Sequence, residues 1–126
     1  MPRSSVTVRA ISDAEAAVVE RALAVAATDA SAEGLVEQVR ALQVIGHCDC
    51  GCASVDFCRL APGQMPRIVA DAVAESPDGE GVGLIVWALD NQLSGLEVYS
   101  DSDRPAPLPV VGSISCCKPD SDTRGG

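Results

Sequence analysis

A chain of 126 residues with nine Lys plus Arg and a formal net charge of −9 lacks the clustered cations that hold a phosphate backbone, which argues against a nucleic-acid partner. The hydrophobic fraction is 47% but the aromatic fraction is 2%, so stacking platforms for bases are missing and the core must be built from Ala, Val, Leu and Ile, with Phe57, Trp87 and Tyr99 as its only rings. No stretch approaches the roughly 18 to 20 apolar residues of a membrane span, and Met1–Ala10 carries no apolar run after its arginines, so no membrane association is expected and the cytoplasm is the expected compartment.

This length suits one domain, read as residues 1–115, with 116–126 as a flexible tail. Ser12 followed by Glu15 forms an S-x-x-E capping box and predicts a helix from about Asp13 to Ala27, with Val18, Ala22, Val25 and Ala26 as its packing stripe. Ser31 caps a second, shorter helix in which Leu35, Val36, Val39 and Leu42 recur at steps of three and four, although Gly34 weakens its first turn.

The pattern then changes to short, β-branched runs separated by turn residues. Five strands are predicted: Gln43–His47, Ser54–Leu60, Arg67–Glu75, Val82–Leu89 and Leu93–Ser100. The turns fall at Cys48–Ala53, Ala61–Gln64, Ser76–Gly79 and Asp90–Gln92. Short connections favour an antiparallel β-meander, and the whole reads as an α+β fold with N-terminal helices packed on one face. Val82–Leu89 is apolar on both faces, so it should be central and Trp87 should be substantially buried. Pro105, Pro107 and Pro109 then favour an extended segment.

Concentrated chemistry is confined to His47-Cys48-Asp49-Cys50-Gly51-Cys52, with Cys58 six residues beyond. Zinc needs three or four thiolate or imidazole ligands converging tetrahedrally, and Cys48 and Cys52 have the spacing of a knuckle. A bend at Gly51 would allow Cys48, Cys52 and Cys58 to converge, with His47 or Cys50 as the fourth ligand. The competing reading is a set of small buried thiols packing a turn between two strands. A third is thiol-dependent redox chemistry, against which stand the strain of an i,i+2 disulfide and Asp49, which disfavours a thiolate. In the strand Ser54–Leu60, Val55 and Phe57 should face the core, while Ser54, Asp56 and Cys58 face away. Asp56 is then either an outer acceptor for His47 or a solvated carboxylate. Cys116 and Cys117 could join the metal set or oxidise, and are more simply expected as exposed thiols; no catalytic constellation is complete.

The run Cys48-Asp49-Cys50-Gly51-Cys52-Ala53-Ser54-Val55-Asp56-Phe57 resembles small bacterial proteins of unassigned function that carry C-x-C-G-C-[PA]-[ST]-V-D-F after a helical part. Leu96-Glu97-Val98-Tyr99 and Pro107-Leu108-Pro109 are similar to the end of those proteins. The resemblance implies no activity. The expected function is a non-enzymatic accessory domain with a protein partner, carrying a cysteine-based zinc site; the alternative is a small redox protein.

Overall fold

The computed structural model describes residues 8–47, 51–100 and 104–116. Strand β1 (Arg9–Ala10) leads into helix α1 (Asp13–Val25), where the expected capping box is formed. The Ser12 hydroxyl accepts from the Glu15 N–H at 3.1 Å, and the Glu15 carboxylate accepts from the Ser12 N–H at 3.0 Å. Arg9 grips the same carboxylate with both guanidinium nitrogens at 2.8 Å, which ties β1 to the helix start. The helix buries Val18, Val19, Ala22 and Leu23.

Its last predicted turn is not helical. Ala26 and Ala27 turn away because the edge of the sheet takes their backbone instead: Asp71 N–H donates to the Ala26 carbonyl at 3.1 Å, and Thr28 N–H donates to Val69 at 2.9 Å. The second helix is also shorter than its periodicity suggests. Only Ala32–Leu35 (α2) is α-helical, and Val36–Ala41 tightens to a 3₁₀ helix, consistent with the weak helix propensity of Gly34, Val36 and Val39. Arg67 pins this region by donating to Asp29 at 2.9 Å and to Ser31 at 2.8 Å.

The predicted strand Gln43–His47 breaks at Ile45 into β2 (Gln43–Val44) and β3 (Gly46–His47). Strand β2 pairs with β1 as a separate two-stranded sheet. The main sheet is antiparallel and six-stranded, in the order β3-β4-β7-β6-β5-β8, with β4 Val55–Asp56, β5 Arg67–Glu75, β6 Gly81–Leu89, β7 Gln92–Ser100 and β8 Ser115–Cys116. The α+β class is as expected, and β5-β6-β7 is the expected meander. The strand count and one connection differ. Strand β4 is two residues long and pairs with β7 instead of its chain successor, so the loop after it crosses the sheet end to reach β5. Strand β8 was not anticipated; it docks on Ala72 and Val73 and helps cover the β5 edge.

Alternation assigns the two faces. Ala70, Ala72, Ala74, Val82, Leu84, Val86, Leu93, Leu96 and Val98 join the helix residues in one core, with Val55 and Phe57 as predicted. Phe57 is the only ring among these core residues. Trp87 is half-buried and Tyr99 is 40% exposed, because the register places both on the face turned away from the helices, opposite Gly95 and Gly83. Tyr99 lies so closely over Gly83 that a Cβ there would stand 2.2 Å from the Tyr99 Cζ. No helix among the described residues is long and apolar enough to cross a membrane.

Candidate functional site

The cysteine run sits where a turn was expected, in the connection between the paired strands β3 and β4. Gly51 has φ of +95°, a left-handed conformation that side-chain-bearing residues rarely adopt, so the bend expected there is present. Cys48 and Cys50, two of the proposed zinc ligands, lie outside the described residues, as does Cys117. Neither Cys52 nor Cys58 is disulfide-bonded. Cys116 is disulfide-bonded, the oxidised alternative to the expected exposed thiol.

Cys52 and Cys58 face different depressions. The Cys52 thiol donates to the Ser54 hydroxyl at 3.4 Å. That hydroxyl accepts from Val98 N–H at 2.8 Å and donates to the Val98 carbonyl at 3.2 Å, standing in for strand pairing beyond the end of β4. Cys58 instead lines a cleft of about 690 Å³ together with His47, Asp56 and Trp87. Three of the residues singled out in the sequence thus share one cleft, yet no three His, Cys, Asp or Glu side chains among the described residues form a metal-holding group.

The centre of the cleft is a row across four strands. Gly46 on β3 is opposite Asp56 on β4, Asp56 is opposite Gly95 on β7, and Gly95 is opposite Trp87 on β6. Each neighbour of Asp56 in the row is a glycine, so its carboxyl stands without a side chain on either flank. A Cβ on Gly46 would lie 3.4 Å from Asp56 Oδ2, and one on Gly95 would lie 3.7 Å from Oδ1, with no Trp87 atom within 4 Å. The indole is held in place by donating from Nε1 to the Glu97 carboxylate at 3.2 Å. A second depression of about 610 Å³ shares Asp56, Gly95 and Trp87 and continues past Glu97 to Tyr99 and Ser100. The two depressions adjoin at these three shared residues, and the groove is the pair of them.

Asp56 is exposed, as the solvated-carboxylate reading expects, and the partial loss of water beside the neighbouring strands raises its pKa above the usual carboxylate range. Among the described residues nothing donates a hydrogen bond to that carboxylate. Burial also raises the pKa of the Cys58 thiol, and the nearby Asp56 charge raises it further. Cys58 is therefore held in the protonated form, unsuited to nucleophilic attack or thiol exchange at neutral pH.

Comparison with known proteins identifies no relative: no family model, curated protein or solved structure matches the chain.

The site must therefore be read from its own geometry. Sequence reasoning placed Asp56 on the strand face turned from the core and located the bend at Gly51, but it carried the strand on to Leu60, whereas β4 ends at Asp56 and Cys58 lies in the bend beyond it. It missed the groove, because Trp87 was assigned to the core and Gly46 and Gly95 were passed over. Glycine inside a strand forfeits packing and often marks a place where another group approaches the backbone. Two such glycines flanking an acid were the available signal.

Proposed function

We propose that this chain is a non-enzymatic interaction domain that seats an extended peptide segment of a protein partner in the groove over Gly95. The observation that carries the reading is the exposed Asp56 carboxylate, without a hydrogen-bond donor among the described residues, flanked by glycine on both neighbouring strands and lining the same cleft as a half-buried indole. A carboxylate serving the sheet would be expected to have a cross-strand cation or hydroxyl beside it, since such pairs stabilise exposed sheet faces. Here both cross-strand neighbours are glycine, a choice that weakens the sheet locally and leaves the carboxylate available. The half-buried indole is the kind of amphipathic anchor that binding surfaces use.

Selection from a displayed library of random peptides tests this reading. Peptides enriched on the wild-type protein should be lost on Trp87→Ala and on Gly46→Val, which narrows the groove without removing a contact group, both shown folded by circular dichroism. Equal enrichment on wild type and both folded variants, or no enrichment on any, would overturn it.

A second reading, zinc binding at the Cys48–Cys52 connection, rests on the residue types of that run and on His47 and Cys58 lining one cleft. Zinc would be held by thiolates and imidazole from that connection, and binding would be coupled to folding. One equivalent of zinc in anaerobically purified protein, lost on joint replacement of Cys48 and Cys52 by serine, supports it. Metal-free, chelator-indifferent protein sinks it.

A further inference from the structure

The groove also carries information about the chemistry of its occupant. Its middle is acidic and aromatic. Asp56 stands on one wall and Trp87 on the other, with Glu97 accepting the indole N–H. Hydrogen bonding of the indole N–H to a carboxylate directs the ring's negative charge toward its faces, which suits it to a cation. The ends of the groove differ from its middle. His47 and Arg59 line the end beyond Ser94, and Arg104, which pairs with Glu80, lines the end near Ser100. From Ser94 to Ser100 the floor follows β7 for roughly 20 Å at about 3.3 Å per residue, the span of an extended segment of about six residues.

We infer that the groove binds an extended peptide bearing one isolated arginine or lysine, whose cationic head lies between the Trp87 ring and the Asp56 carboxylate. This rests on the reading of the groove as the binding seat. Asp56 supplies the counter-charge that the fold itself does not use, and Trp87 supplies a face for the alkyl stem and the cation. The net charge of −9 draws a basic segment toward the surface. Arg59 sets the limit: a run of basic residues would bring a like charge to it, so a lone basic residue is preferred.

The test uses ¹H–¹⁵N spectra of the full chain, titrated with a nine-residue Ala/Gln peptide carrying a central arginine. Two further peptides serve as arms, one with citrulline in place of arginine and one with three consecutive arginines. The arginine peptide should shift the Trp87 indole and Gly95 signals saturably. The citrulline peptide should bind at least about tenfold more weakly, as should the arginine peptide on Asp56→Asn, and the triple-arginine peptide should gain nothing. Equal binding of the citrulline peptide would overturn the cation claim while leaving the groove reading intact. No saturable shift with the arginine peptide at millimolar concentration would overturn the claim as well, and the library selection would then decide the groove reading by itself.

Discussion

At Asp56 and Cys58 one cleft sets the chemistry of two neighbouring groups. Val55 and Phe57 are buried in the core, and Asp56 and Cys58, the latter just beyond the end of β4, both line the cleft. There the Asp56 charge and loss of water both keep the Cys58 thiol protonated. Peptide-resolved alkylation at pH 7.5 should therefore find Cys58 slower than an unhindered thiol. Asp56→Asn should speed it by removing the charge. A Cys58 rate unchanged by Asp56→Asn would show that burial alone governs the thiol.

At the scale of elements, α1 was the most legible part of the chain, because its start is written in short-range chemistry. Arg9 and the Ser12 N–H hold the Glu15 carboxyl at a pKa of about 2, well below its ordinary value. Its folded pKa is depressed, so its contribution to stability is full above the unfolded value and is lost as pH falls from there through about 2. Glu15→Gln should accordingly cost about 1–2 kcal/mol at pH 7 in denaturant unfolding, with the difference from wild type closing near pH 2. A difference that persists undiminished at low pH would mean that packing, not charge, accounts for the loss. A second element-level prediction concerns the β6–β7 pair. Gly83→Ala forces the Tyr99 ring off the sheet and should lose about 1 kcal/mol, and a prior Tyr99→Ala should erase that penalty. A penalty of the same size in both backgrounds would place the strain in the backbone instead of the ring.

Across the whole molecule, what could be read from the sequence was what neighbouring residues decide. The capping box, the turn at Ser76–Gly79, where Gly79 N–H donates to the Ser76 carbonyl at 2.9 Å, and the three long strands all rest on local pattern. The pairing of β4 with β7, the break of one predicted strand at Ile45 and the docking of β8 depend on contacts between distant segments, for which periodicity carries no signal. The same limit hid the groove. Trp87 belongs to an apolar strand, but which of its faces meets the helices is set by register with β5 and β7. Once that register is fixed, Gly46, Asp56, Gly95 and Trp87 fall in one row, and Asp56 becomes a carboxylate that the fold tolerates without using. The direct measure of that claim is the unfolding free energy of Asp56→Asn at pH 7. A raised folded pKa means that the charged form costs stability, a cost that grows as pH rises through the usual carboxylate range and disappears below it. Because solvent screens a carboxylate as exposed as Asp56, Asp56→Asn should match wild type at pH 7 or exceed it only slightly, with no difference near pH 3. A loss of more than about 1 kcal/mol at pH 7 would contradict this, since it would show that the carboxylate holds the sheet together and is not held in reserve for a ligand.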